Sequence, residues 1–282
     1  MHPLLFRIPL GPTRIALFGR ELVLGPLEVP AFGVLLAFGL LAGGVLTTRR
    51  GERMGLRREA LLTALAVAFF AGLLGARLGF VLLHPRAFES LAAALSLQQG
   101  GLFGLLGLAS GAVAAAWAAR ARGISVAALF DAAAPGFGLC VALTRLGCFL
   151  EGCDFGRPLS AGAPRWLARL GTFPMGSPAW VEHVSSGALG PSALTSLPVH
   201  PAELYDCAVG LALVAAALAL GRRSRRAGDV ALGVTAAYLG LRVVVDLARP
   251  ATPEVWGARV LLLVAAAASV PWLLRRARAR HP

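Results

Sequence analysis

Apolar runs of about twenty residues alternate along this chain with short connectors rich in arginine, glycine or proline. As helices, runs of that length match the ~30 Å hydrocarbon core of a bilayer. The pattern predicts about seven spans, at 29–47, 59–83, 100–119, 124–150, 201–220, 229–247 and 257–274. The expected fold is an all-α polytopic membrane protein with a small extracytoplasmic head. Residues 1–28 form an N-terminal extracytoplasmic segment, and 29–150 the first part of the bundle. The head loop takes 151–200, the second part of the bundle 201–274, and a basic cytoplasmic tail 275–282. The head loop is rich in Pro, Ser and Gly and too long to be a mere connection. No internal repeat is visible, which argues against the inverted halves of many secondary transporters.

Composition supports this reading. The 282 residues are 57% hydrophobic and only 15% charged, with mean hydropathy +0.73. A soluble domain of this size needs far more polar surface. No cleavable signal peptide is expected, because the N-terminus lacks a basic start, an apolar core and a small-residue cleavage site.

Charge then orients the spans. The formal net charge is +13, and all 27 basic residues are arginine. They gather after the first span (Arg49, Arg50, Arg53, Arg57, Arg58), the third (Arg120, Arg122), the fifth (Arg222, Arg223, Arg225, Arg226) and the seventh (Arg275, Arg276, Arg278, Arg280). The positive-inside rule puts all four clusters in the cytoplasm, with the N-terminus outside. No basic face with interleaved aromatics accompanies them, so nucleic acid is not an expected partner. Membrane lipids are. Cys140, Cys148, Cys153 and Cys207 show no zinc-ligand spacing, so neither a metal nor another cofactor is expected.

Ionisable residues inside spans are costly, and each is a functional candidate. They are Arg77, Asp131, Arg145, Glu203, Asp206, Arg242 and Asp246. Arg77 lies near the outer end of its span, where it can snorkel. Asp131 can pair with an arginine or cap a helix. Arg242 and Asp246, at i and i+4, share one helix face, either as a structural ion pair or as part of a site. In "VHPAELYD", His200 precedes a proline suited to a helix's first turn, followed by Glu203 and Asp206 one turn apart. Arg145 opens "RLGCFLEGCDFG", where Gly147, Gly152 and Gly156 let the backbone leave the helix and approach a ligand. Such irregular backbone at membrane depth belongs where it is buried or lines a polar cavity. Two arginines at one depth, Arg145 and Arg242, make a clamp for a phosphate diester through paired guanidinium donors.

"DAAAPGFGLCVALTRLGCFLEGCDFG", "HPAELYD" and "LRVVVDLAR" stand in the order seen in prolipoprotein diacylglyceryl transferases, and the chain resembles that family from about residue 29 onward. "GARLGFVLLHP" and "GGLFGLLGLASG" are similar to two further family segments. The resemblance implies transfer of the diacylglyceryl group of phosphatidylglycerol to the lipobox cysteine of a prolipoprotein, with glycerol phosphate leaving. It implies that Arg145 and Gly156 are the signature arginine and glycine, and Arg242 the second essential arginine with Asp246 as its acidic partner. His200, Glu203 and Tyr205 fall in the histidine–tyrosine motif, Gly100 and Gly101 in the glycine segment, and Arg249 at the outer edge. Catalysis would rest on Arg145, Arg242 and His200, with the other residues of this set binding substrate.

Departures from the family pattern bear on proton handling. Phe32-Gly33 stands where tyrosine-glycine is usual, and Leu105 where a histidine is often found. Glu203 and Asp206 replace the more usual Gln and Glu. His200 is the remaining base for the acceptor thiol; alternatively, the arginine field lowers the thiol pKa without a discrete base. Cys148 and Cys153 are expected to pack rather than react. The runner-up reading is a non-catalytic or altered-acceptor lipid-binding protein on the same scaffold, and a channel or ion-coupled transporter comes third.

Overall fold

The computed structural model describes residues 4–8, 13–17, 20–24, 27–85, 88, 101–224 and 226–250. Four short strands come first: β1 (Leu4–Ile8), β2 (Thr13–Leu17), β3 (Arg20–Leu24) and β4 (Leu27–Pro30). β1 pairs antiparallel with β4, and β2 with β3, so one hairpin is nested inside another. Only two residues, Phe18 and Gly19, separate β2 from β3, a spacing that favours a tight hairpin turn. The sequence reading assigned no secondary structure to this segment.

Helices follow: α1 (Ala31–Arg53), α2 (Arg58–Leu83), α3 (Gly104–Ala121) and α4 (Val126–Glu151). Two short helices, α5 (Arg165–Leu170) and α6 (Pro178–Ser185), lie in the stretch between α4 and α7. The described chain then closes with α7 (Ala202–Arg223) and α8 (Asp229–Asp246). Among the described residues, α1, α2, α3, α4 and α7 are the five helices long and apolar enough to cross a membrane. The shortest, α3, has 18 residues and is ~27 Å long, close to the hydrocarbon thickness. α8 matches the expected sixth span in position, but carries Asp229, Arg242 and Asp246 within its 18 residues. The expected seventh span, 257–274, and its basic tail lie outside the described residues.

The chain is thus a multi-pass, predominantly helical membrane protein. Large apolar side chains on the spans point outward, including Leu41, Phe70, Leu82, Val113 and Trp117. This is stable where the surrounding medium is hydrocarbon rather than water.

The described residues form two compact units. One comprises those up to Gly43, Ala134–Arg223 and the described residues from Leu232. The other comprises the described residues of Gly44–Ala133 and Ser224–Ala231. The second unit packs α2 on α3 through small residues. A Cβ on Gly72 would sit 3.2 Å from the Gly107 carbonyl oxygen, and one on Gly111 would sit 3.0 Å from that of Ala68. Such near backbone contact is how helices associate without a hydrophobic drive between them. Beside this seam, Leu61, Ala64, Ala118, Ala119 and Leu129 form an apolar core.

In this unit Arg77 is 3% exposed. It donates to the Gly101 carbonyl at 2.9 Å and lies over the Phe88 ring. Arg77 is therefore buried in protein, and the snorkelling expectation is corrected. Asp131 resolves as a cap: its carboxylate accepts from the backbone N–H groups of Gly228 (2.6 Å) and Ala231 (2.8 Å), at the start of α8. Those amides have no intrahelical acceptor, so the bond to a buried carboxylate satisfies them.

Between α4 and α7, a small cluster forms around Phe173, Ala179 and Val199, flanked by Phe149 and Phe155. Trp180 ties it down by donating its indole N–H to the Ala193 carbonyl at 2.7 Å. Isolated bridges Pro158–Val199 and Pro174–Thr195 close its loops.

Candidate active site

The C-terminal part of α4 delivers Arg145. Beyond it the helix stops at Gly152, which adopts φ +77 and whose missing Cβ leaves room for the Phe173 ring. The amides of Gly152 and Cys153 both return to the Cys148 carbonyl, at 2.8 and 3.1 Å. This turn presents Asp154, itself at φ 64, a conformation Asp tolerates better than most residues. Gly156 then threads between two segments. A Cβ there would lie 2.5 Å from the Ala248 carbonyl oxygen and 2.7 Å from His200 Cβ. The backbone is stitched at this point, with Gly156 N–H donating to His200 O (2.9 Å) and Arg157 N–H to Ala248 O (2.8 Å). The ends of α4, α7 and α8 are thereby drawn together.

Six charged side chains meet where they converge. Asp206 on α7 is 1% exposed and receives three guanidinium groups: Arg242 directly, Arg249 at 2.9 Å and Arg145 at 3.5 Å. Asp246 pairs with Arg242 at 3.1 Å along α8 and with Arg249 at 3.3 Å. Asp154 bridges Arg145 and Arg249, its second contact to Arg249 measuring 3.0 Å. The Arg242–Asp246 pair is therefore one edge of a larger network rather than an isolated structural bridge. Formal charges balance, three guanidinium groups against three carboxylates. Exposure is graded: the Asp206 and Asp246 side chains are 1% and 3% exposed, whereas Asp154 is 37% exposed.

The histidine motif adjoins this network. His200 Nδ1 lies 3.3 Å from the Tyr205 hydroxyl. Burial, followed by the nearby Arg157 cation, pushes the His200 imidazole below its ordinary pKa. His200 is consequently neutral at pH 7, the form that accepts a proton. Glu203, in the first turn of α7, is fully buried, and neither carboxylate oxygen finds a hydrogen-bond partner among the described residues. Cys148 is buried, and Cys153 shares a hydrogen bond with it; that bond and burial hold the Cys153 thiol above its ordinary pKa. The protonated Cys153 thiol is a poor nucleophile, which fits a packing role for that residue.

The structure brings together Arg145, Arg242, Asp246, Arg249, Gly156, His200 and Tyr205 from three sequence segments. Gly101 belongs to the second unit, where it takes φ +80 against Phe80 and accepts from Arg77. Gly100 lies outside the described residues. Sequence reasoning left Asp154 unassigned and gave Asp206 no place in the binding set. Asp206 had a signal, a carboxylate inside an apolar span, while Asp154 lay within the very stretch that marked Arg145. Among the described residues, no cluster of three or more His, Cys, Asp or Glu side chains could hold a metal ion.

Residues 21–276 match the family profile described as prolipoprotein diacylglyceryl transferase. A Thermus thermophilus protein named phosphatidylglycerol–prolipoprotein diacylglyceryl transferase is 30% identical over 203 residues, covering 68% of this chain and 69% of the relative. Proteins of the same name from Clostridium tetani and Bacillus mycoides are 23% identical over 238 residues and 27% identical over 208. Those matches cover 84% and 73% of this chain, and 85% and 72% of the respective relatives. With the family profile matched over nearly the whole chain, the protein belongs to the prolipoprotein diacylglyceryl transferase family.

Proposed function

We propose that this protein transfers the diacylglyceryl group of phosphatidylglycerol to the cysteine thiol of a prolipoprotein lipobox, with Arg145, Arg242 and Arg249 as the phosphate-binding set. One observation carries the assignment: three guanidinium groups, from α4, from α8 and from the turn after α8, converge on Asp206 at the ends of apolar helices. Guanidinium matches the geometry and charge of a phosphodiester.

In the reaction, the acceptor sulfur attacks the glyceryl carbon bonded to phosphate. The S–C bond forms as the C–O bond breaks, and glycerol phosphate leaves with the electron pair. Arg145 and Arg242 would stabilise the charge that grows on the departing phosphate. Neutral His200 would accept the thiol proton, turning a weak nucleophile into a thiolate. Gly156 sets the register between His200 and the turn bearing Arg249, so the base and the clamp are held on one piece of backbone.

We place the protein in a bacterial cytoplasmic membrane, with the four arginine clusters inside and the cluster around Phe173 as an extracytoplasmic head. The seven-span topology and the outside N-terminus belong to this reading. A reporter inserted near Ser186 should then report the outer compartment, and one fused after Arg280 the cytoplasm. A non-catalytic lipid-binding role is not favoured, because the named relatives are all transferases.

The testing experiment is transfer from labelled phosphatidylglycerol to a lipobox peptide. Arg145→Lys and Arg242→Lys should each lose turnover at matched folded protein, since an ammonium cannot replace a paired-donor fork. Near-normal transfer by either variant refutes the clamp.

A further inference from the structure

The arginines that would bind phosphate are already occupied in the structure. Asp206 and Asp246 are buried against Arg242 and Arg249 and act as fixed counter-charges. Asp154 differs from them in three respects. It stands on a turn rather than a helix, it is 37% exposed, and it spans two guanidinium groups at once, Arg145 and Arg249. A carboxylate bridging two guanidinium forks occupies the space and the donors that two phosphate oxygens would need.

We propose that Asp154 is a resident counter-anion that closes the phosphate subsite between Arg145 and Arg249 and is displaced by the phosphodiester of the incoming lipid. The inference rests on the arginine clamp proposed above. Charge balance makes the exchange favourable. A phosphodiester carries one negative charge, as the carboxylate does, so the site stays neutral in both states and no guanidinium is left unpaired at membrane depth. Asp154 can leave because its exposed side chain regains water when it swings away, whereas Asp206 and Asp246 would leave buried arginines uncompensated. The same carboxylate would reclaim the arginines as glycerol phosphate departs, which favours product release. Asp154 is thus a residue that sets lipid and product affinity, not one that takes part in bond making.

The test uses full-length protein in mixed micelles, comparing wild type, Asp154→Asn and Asp154→Gly. Both replacements suit a left-handed backbone, so either can serve if the other misfolds. Initial transfer rates against phosphatidylglycerol mole fraction give KM, and glycerol phosphate added as inhibitor gives the product constant. Without the competing carboxylate, KM and the inhibition constant should both fall by about two- to fivefold, the scale of one partly exposed ion pair. Unchanged or raised constants in folded variants overturn the proposal, as does loss of folding in both variants, which would make Asp154 a structural tie. Direct binding of labelled glycerol phosphate, which needs no turnover, distinguishes the clamp from the role of Asp154. If glycerol phosphate binds wild type, fails to bind Arg145→Lys and ignores position 154, only the Asp154 role is wrong. If Arg145→Lys and wild type bind it alike, the clamp itself is wrong.

Discussion

Arg249 Nη2 stands 2.9 Å from Asp206 Oδ2, joining the turn after α8 to the second turn of α7 across 43 residues of sequence. Asp206 holds Arg145 and Arg242 as well, so its loss would leave three cations with one fewer buried partner. Asp206→Asn should therefore destabilise the protein by about 3–5 kcal/mol, the range for breaking a buried ion pair from one side. Reversible denaturant unfolding in detergent measures this. A change below about 1 kcal/mol would show that Asp206 is not the hub of the network.

Gly156 predicts a steric effect. An alanine methyl would meet the Ala248 carbonyl oxygen at 2.5 Å and the His200 carbonyl oxygen at 2.7 Å, both of them backbone. Gly156→Ala should lose most activity and about 1–3 kcal/mol of stability through forced backbone shifts. Gly162→Ala is the control, since nothing lies within 4 Å of its missing Cβ. Transfer rates and thermal unfolding of the two variants should diverge sharply.

His200 makes a pH prediction with a definite sign. Burial and Arg157 lower its pKa from the ordinary 6.5, so the proton-accepting neutral form persists into more acidic solution. The acid limb of the rate profile should have its midpoint below 6.5. Arg157→Gln removes a repelling cation and should move that limb upward, while His200→Ala should abolish it along with most of the rate. A profile indifferent to both changes would instead point to the arginine field as the activator of the thiol.

Phe32 and Leu105 stand where the family commonly carries a hydroxyl and an imidazole. General acid–base groups contribute ~10²–10⁴ in rate, so Leu105→His with Phe32→Tyr should accelerate transfer. Leu105 is 50% exposed on the first turn of α3, so a histidine has room there. Rates for the single and double variants decide the point. No gain from the double variant would mean that His200 already supplies the proton transfer.

Hydropathy placed six of the expected spans within a few residues of observed helices, because lipid exposure imposes its pattern directly on composition. The exception in length is α1, which runs on through Arg49, Arg50 and Arg53. Arginine is a good helix former whose long side chain reaches water from the membrane edge, so charge does not end the helix. Arg145, Arg242 and His200 were legible because polar groups in apolar surroundings stand out. Asp154 was not, since its place between two arginines depends on where Gly152 turns the chain and on how Phe173 packs beneath it. Arg77 misled for a similar reason, because its burial comes from Gly101 and Phe88, outside its own helix. The N-terminal strands had a readable sign in "TRIALFGREL", two β-prone runs on either side of a Phe-Gly pair.

The glycine seam between α2 and α3 also bears on the order in which the protein assembles. This helical hairpin lies wholly within residues 58–121 and is joined by near backbone contact, so it needs nothing synthesised later. The charged network cannot close until Arg249 has left the ribosome. Membrane insertion would therefore deliver a finished hairpin first and an open charged site last. Arg145 and Asp154, only nine residues apart, are the one ion pair of that site able to form before α7 enters the bilayer. By neutralising each other early, they would lower the cost of holding α4 in lipid until its partners arrive.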